Sequence, residues 1–363
     1  MSFINTRTSL GEQAALDALV AATITEINED ALHTLETYAL YYQNGLVSVN
    51  FPNVTRIKSI AFYSVPELQT IDIGKQCVIQ GEAFALCPKL RALILRGTTG
   101  ISTLDGAQFQ KTPIGCKLAG IYVPRSLLSD YLANNNWAVY SDVIRAIEDM
   151  PVTDFSTITH TWSQIKSMVN NESFFSSDYA VGDYKQFTYG THTVIAEIAK
   201  IDSTNKYVDF IVKNPDETCK CTEYSNYITS YANTILKARL DAIYANELPS
   251  DLKAVISPVT KKYHSYDDTV ETFNDSIWLL NSNDVNATGN YLKDNEGEAY
   301  SIFDTNGKRT KYNQTSCSSV GWWLGSAYNS SQFMFVTANG AVSYSYPSNN
   351  YGIVFGFRIK KDT

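Results

Sequence analysis

The sequence predicts an α+β protein of two dissimilar parts. A short repeat solenoid with helical caps occupies residues 1–150, and a mixed α/β domain occupies residues 151–363. Three observations predict this. A 22-residue period runs through the first part. The stretch "EDMPVTDFSTITHTW" (148–162) then breaks the pattern with a Pro and small polar residues, placing a boundary near Pro151. Beyond it, helical and alternating apolar spacings follow one another without a period. Hydrophobic residues make up 44% and charged residues 18%, a globular composition with ample core.

The period is read by aligning "YALYYQNGLVSVNF" (38–51), "IAFYSVPELQTIDI" (60–73) and "EAFALCPKLRALIL" (82–95). Ala39, Ala61 and Ala83 align, as do Leu40, Phe62 and Phe84, then Leu46, Leu68 and Leu90. Val49, Ile71 and Leu93 form a fourth column, and Phe51, Ile73 and Leu95 a fifth. L-x-x-L-x-L spacing at such a period marks a leucine-rich repeat. "LVSVNF", "LQTIDI" and "LRALIL" supply one short strand per turn, and "AQFQKTPIGCKLAGIYVP" reads as a degenerate fourth turn. A single turn cannot bury its apolar edge, so the turns stack and the ends need caps. "SLGEQAALDALVAA" (9–22) has helical spacing at Leu16, Leu19 and Val20, and "PRSLLSDYLANNNWAVYSDVIRAIED" (124–149) reads as one or two helices. The copy "AFALCPKLRALIL" resembles the bacterial surface-adhesin class of leucine-rich repeat, which implies that Cys87 is a buried structural thiol. Such a solenoid serves as a spacer or docking module, or offers a ligand-binding face.

In the second part, "TWSQIKSMVNN" (161–171) is expected as an amphipathic helix. "YAVGDYKQFTYGTHTVIAEIAKID" (179–202) is expected as two strands joined at "YGTH", with "YVDFIV" (207–212) as a third. Residues 230–263 read as a helix, a turn at "LPSD" and a second short helix. "IWLLNSNDV" (277–285) reads as a strand and a capped turn.

Several words in this part, namely "TWSQI", "VGDYK", "LDAIYANELPSDLKAVISPVTKK", "WLLNSNDV", "WWLGS" and "YGIVFGFRI", resemble a module of phage and gut-bacterial proteins. The resemblance spans nearly all of 155–360. It implies a C-type-lectin fold of the formylglycine-generating-enzyme-like branch, which includes variable proteins of diversity-generating retroelements. In those, an error-prone copy of an adenine-rich template replaces the 3′ end of the gene. The chain departs from the module at Gly325, where an Arg is usual, and at Val354 and Phe355, which replace Arg-Pro.

Chemistry is sparse. The sequence holds no H-E-x-x-H, no G-x-S-x-G and no P-loop. His33, His160, His192 and His264 lack ligand spacing, and Cys219 and Cys221 of "CKC" have no second pair. "YDDTVETFND" and "KDNEGEAY" read as solvated acidic loops rather than calcium loops. The formylglycine-generating relatives use a pair of C-terminal Cys, whereas Cys317 is the one Cys in the last 140 residues here. No catalytic residue, cofactor or metal is therefore expected. A net charge of −8 without a basic cluster argues against nucleic acid as a partner. No apolar run has the length of a membrane span or the form of a signal peptide, so no membrane insertion is expected and synthesis in a reducing cytoplasm is.

The C-terminal stretch carries the functional expectation. From Ser326 to Tyr351, 14 of 26 residues are Ser, Tyr or Asn. Tyr gives rigid contact area and Ser and Asn give adaptable hydrogen bonds, the alphabet of evolved paratopes. Single adenine changes in Asn codons yield the same residues. The candidate ligand-binding residues are Tyr328, Asn329, Ser330, Ser331, Gln332, Tyr344, Ser345, Tyr346, Ser348, Asn349 and Asn350. Asn339-Gly340 suits a two-residue hairpin turn. That turn pairs Phe335 with Tyr344 and Phe333 with Tyr346, and leaves one hairpin face exposed. "GWWLG", "FMFV" and "YGIVFGFRI" are the expected framework. The resulting expectation is a non-enzymatic adhesin at a phage tail tip, binding a bacterial surface protein or glycan. The N-terminal part would dock to other tail proteins, as a possible homotrimer in a virion assembled in the host cytoplasm. A structural virion protein is the alternative, and a formylglycine-generating-type enzyme the remote one.

Overall fold

The computed structural model describes residues 26–28, 30–106, 108–116, 119–150, 158–223, 230–265, 267, 269–293, 296–297, 299–313 and 318–363. The chain divides into two units, residues 1–155 with 315–318, and residues 156–314 with 319–363. The expected boundary near Pro151, the helix expected at 9–22 and Cys317 lie outside the described residues.

The first unit is built by repetition. Its strands are β1 Glu26–Asn28, β2 Thr34–Leu35, β3 Ser48–Phe51, β4 Arg56–Ile57 and β5 Thr70–Ile73. They continue with β6 Val78–Ile79, β7 Ala92–Leu95, β8 Thr103–Leu104, β9 Gly120–Val123 and β10 Ile144–Ala146. Two parallel sheets result, in the orders β1-β3-β5-β7-β9-β10 and β2-β4-β6-β8. The single strand expected per turn is thus joined by a second, because "RI" and "VI" also pair in register, Ile57 beside Ile79. The aligned columns are the ladder itself: Val49 pairs with Ile71 and Ile71 with Leu93.

Ala61, Ala83, Phe62 and Phe84 are fully buried, and the rings of Phe51, Phe62, Phe84 and Phe109 pack in a column with 5.5–6.3 Å between successive centroids. The period extends to backbone conformation. Tyr38, Ile60 and Glu82, and again Tyr42, Ser64 and Leu86, take positive φ between 57° and 65°. That is an unfavourable region for a branched residue such as Ile60. Each such turn is held by its neighbour, as in Leu40 N to Ala61 O and Phe62 N to Ala83 O, both 2.8 Å. Cys87 is buried, with Sγ donating to Phe62 O at 3.0 Å, and burial pushes its thiol up to about 12.

Residues 124–149 differ from the expected helical cap. Short helices form at Leu128–Ala133 and Asn135–Ala138, but Ile144–Ala146 then pairs parallel with β9 and continues the sheet. Alternate apolar residues Ile144 and Ala146 give that segment a strand period.

The second unit opens with the helix Trp162–Asn170, capped by Thr161 and Gln164 in a reciprocal capping box. Its strands are β11 Tyr184–Tyr189, β12 His192–Asp202, β13 Tyr207–Val212, β14 Thr218–Lys220, β15 Val259–His264, β16 Val270–Asp275 and β17 Ile277–Leu279. Then come β18 Lys311–Tyr312, β19 Ser319–Val320, β20 Trp322–Asn329, β21 Gln332–Val336, β22 Val342–Ser345, β23 Asn350–Gly352 and β24 Phe355–Lys360. Among the described residues the larger sheets have the orders β11-β12-β13-β24-β17 and β14-β23-β20-β21-β22.

The helices expected before residue 263 are found at Ile235–Ala242 and Ser250–Lys253, but "VTKKYH" is a strand paired with β16. β16 also overturns the reading of "VETFND" as a solvated loop. The "GFR" strand, β24, lies between β13 and β17 in the first of these sheets. Arg358 forks onto the fully buried Asp209 at 2.6 and 2.8 Å and lies 3.5 Å over the Tyr207 ring, while Tyr300 Oη donates to the same carboxylate.

Candidate functional site

The site is built on β20, β21 and β22, whose inner strands are covered on both faces. Trp323, Phe333 and Phe335 pack in one core with Phe355 and Phe357. Trp322, Leu324, Met334 and Val336 pack in another with Phe303 and Val354. The expectation that one hairpin face is exposed therefore fails for β21. Val354 and Phe355 sit in these two cores, which explains apolar residues in place of Arg-Pro. Gly325 is explained as well, since a Cβ there would lie 2.1 Å from the Tyr263 ring.

The β21–β22 turn differs from the expected one. Thr337 N donates to Ala341 O, Gly340 N donates to Thr337 O, and Gly340 has φ +81°. This is a three-residue loop with a left-handed Gly, not a two-residue turn. A Cβ on Gly340 would lie 1.8 Å from Asn306 O, so the loop tip is packed against the helix Asn306–Arg309. The register shifts by one: Met334 faces Tyr344, and Phe333 faces Ser345. A one-residue shift exchanges faces. Tyr344 thus leaves the Phe335 side and joins Met334 and Val336.

The polar tracts gather at the opposite end of this sheet from Gly340. Ser330 and Ser331 form the exposed β20–β21 turn, and Asn329 caps it by accepting from Ser331 N and donating to Gln332 Oε1, both at 2.9 Å. Ser345 pairs beside that turn, and its hydroxyl contacts Tyr351 Oη and receives Asn349 Nδ2. Asn349 and Asn350 are exposed and Ser348 is half-buried. Pro347 is buried and accepts from Cys221 N and Thr222 N. Tyr344 and Tyr346 are 38% and 55% exposed. Ser326 and Tyr351 do not share this exposure: Ser326 is fully buried, and Tyr351 stacks on Phe335 at 4.4 Å.

Sequence reasoning missed three features. The first is a tyrosine cluster. Tyr328 stacks on Tyr344 at 4.3 Å and 12°, and Tyr291 lies 5.7 Å from Tyr328 and 6.2 Å from Tyr344. Beside it is a cavity of about 460 Å³, lined by residues 286–291, by Asp304, Asn306 and Arg309, and by Tyr328, Ala341 and Val342.

The second is a buried polar network around Asp284 and Glu296. Lys261 Nζ lies 2.8 and 2.7 Å from the Asp284 carboxylate oxygens, with the side chains 7% and 1% exposed. Burial pushes the Asp284 carboxyl up, Lys261 pulls it back, and Glu296 adds to the rise. Glu296 accepts from His264 N, Ser282 N, Ser282 Oγ and Ser326 Oγ, so its "KDNEGEAY" segment is not simply a solvated loop. Asn281 N and Asp284 N bond reciprocally to the Asp284 and Asn281 side chains, as the capped turn predicts.

The third is an exposed aromatic patch in the repeat unit. Tyr38, Tyr41 and Tyr42 are 39–54% exposed, and Tyr41 stacks on Tyr63 at 5.8 Å. The word "YALYY" held that signal. No spacing rule tied Tyr291 to Tyr328, or Glu296 to Ser326.

Elsewhere, the Cys221 thiol is buried and pushed well up, and the Cys219 thiol is raised to about 11 by burial. Among the described residues no group of three His, Cys, Asp or Glu is placed to hold a metal ion, and no helix is long and apolar enough to cross a membrane.

The family described as a domain of unknown function, DUF6273, matches residues 134–361. A BspA-type leucine-rich repeat region matches residues 18–130 in six copies. No curated protein and no solved structure matches the chain.

Proposed function

We propose that this chain, which belongs to the DUF6273 family and carries BspA-type leucine-rich repeats in its N-terminal part, is a non-enzymatic receptor-binding protein. Its ligand is a bacterial surface protein or glycan, met by the β22 edge and the turns beside it. The observation that carries this reading is the contrast of burial between neighbouring segments. Trp322, Trp323, Met334 and Val336 are fully buried, whereas Tyr344 and Tyr346 stand exposed next to Ser330, Ser331, Asn349 and Asn350. An outer strand also offers unpaired backbone groups to a partner.

In this reading the C-terminal unit is a C-type-lectin-like framework. Its exposed tracts are the part diversified by a retroelement, and the protein sits at a phage tail tip. Multivalent display there offsets weak single-site affinity. The joint substitution Tyr344→Ala and Tyr346→Ala is expected to abolish attachment to intact bacterial cells and leave the melting temperature nearly unchanged. Retained attachment overturns the reading. The gene's 3′ end tests the diversification: an adenine-rich near-copy should differ at 328–332 and 344–350 and spare "GWWLG" and "FGFRI". A second reading, a structural virion protein, draws on the exposed Tyr38, Tyr41 and Tyr42 as a subunit contact.

A further inference from the structure

The cavity beside the tyrosine cluster narrows the chemistry of the ligand. Its charges are already engaged. Arg309 donates from Nε to Gly340 O at 2.9 Å and from Nη1 to Val285 O and Phe303 O at 3.1 and 2.8 Å, and Nη2 meets Asn306 Oδ1. Asp304 is paired with Lys308 at 2.9 Å. Four of the five guanidinium N–H groups are thus committed, and the one left on Nη2 cannot make the forked contact by which Arg grips a phosphate, sulfate or carboxylate. Apart from the Tyr291 and Tyr328 rings, the apolar share of the lining is Ala287, Ala341 and Val342, too little to hold a lipid chain.

What the lining does offer is neutral and polar. Thr288 and Asn290 are exposed, and their side chains form no hydrogen bond among the described residues. Tyr291 and Tyr328 add two rings, the latter fixed by its stack on Tyr344. Amides and hydroxyls beside aromatic rings suit a ligand with hydroxyls on its edges and C–H groups on its faces. The volume of about 460 Å³ falls within the range of small-ligand pockets and suits one or two sugar rings.

We propose that the cavity bounded by Thr288, Asn290, Tyr291, Asn306 and Tyr328 is a subsite for a neutral carbohydrate. This rests on the receptor-binding reading and names the class of ligand for it. Plain and N-acetylated sugars share this recognition chemistry.

The test is titration of the full chain with β-methyl glycosides and β-linked disaccharides of glucose, galactose, mannose and N-acetylglucosamine, followed by NMR or calorimetry. Inorganic phosphate serves as the anionic control. At least one sugar is expected to bind. Asn290→Ala and Tyr291→Ala should each weaken it tenfold or more at unchanged melting temperature, and Tyr346→Ala should leave it unchanged. The contrast between the plain and N-acetylated arms identifies the source. Binding of no sugar, binding indifferent to Asn290→Ala and Tyr291→Ala, or displacement by phosphate overturns the proposal.

Cell attachment separates the two readings. Attachment that resists periodate, falls to protease and survives Asn290→Ala and Tyr291→Ala, in a chain that binds no sugar, removes the carbohydrate subsite and keeps the receptor-binding function. Sugar binding by a chain that attaches to no cells keeps the subsite and removes the receptor-binding function.

Discussion

The repeat unit and the DUF6273 unit reach full burial by opposite routes. In the repeat unit each strand pairs with one 22 to 28 residues away, and one apolar column packs on its own copy, as Phe62 does on Phe84. In the other unit β24 joins β13 and β17, and Arg358 meets Asp209 across 149 residues of sequence. The first route is a sum of neighbour contacts. The second depends on closure at the chain's far end, with polar groups carried into the core. The difference teaches where each unit tolerates change: the repeat unit turn by turn, the DUF6273 unit only at its uncovered strand and loops.

Four outcomes would break or sharpen that comparison. Asp284→Ala leaves Lys261 buried without its partner and is expected to cost about 3–5 kcal/mol in urea unfolding. Hydrogen exchange should rise throughout β15, β17 and β20 together; a rise confined to β15 would give the unit the additive character of the repeats. Leu68→Ala removes a fully buried repeat side chain and should cost about 3 kcal/mol. Its exchange should quicken in the turns at 46–51 and 90–95 and leave β9 and β10 protected, a pattern that fails if the solenoid opens as one body.

The third concerns Lys311. Burial pushes its ammonium down to about 8 from the usual 10.5, against the pull of Glu197. The unfolded chain therefore holds that proton more tightly than the folded one. Stability should rise as pH climbs from 8 toward 10.5, and the full penalty of ~3 kcal/mol applies below 8. Lys311→Met is expected to be more stable at pH 7 and to lack this rise, read as the difference between the two urea midpoints across pH. Smallest is Tyr344→Ala with Tyr346→Ala, expected to shift stability by about 1 kcal/mol, mostly the lost stack on Tyr328. A loss above about 3 kcal/mol in a thermal melt would make β22 part of the core.

The candidate surface was legible in composition. Tyr344, Tyr346, Ser330, Ser331, Asn349 and Asn350 could be singled out because exposed Tyr, Ser and Asn recur there beside apolar segments. Ser326 and Tyr351 belong to the same alphabet and proved to be core residues, because composition does not say which way a strand residue points. The Asn339-Gly340 signal located the hairpin but not its register. The loop's packing against Asn306 fixed that, and with it which tyrosine stands beside Met334.

By itself the sequence determined what recurs or alternates locally: the 22-residue ladder, the capped helix at Trp162, the strands β11 to β13 and the Asn281–Asp284 turn. These follow from side-chain period and short-range hydrogen bonds, which are written in adjacent residues. Only the tertiary structure decided the second strand of each repeat, the strand at Val259–His264, the buried Lys261–Asp284 and Glu296–Ser326 contacts, and the meeting of Tyr291, Tyr328 and Tyr344. Each depends on which distant surface arrives to cover a residue. A polar side chain reads the same in sequence whether water or another buried group completes its hydrogen bonds.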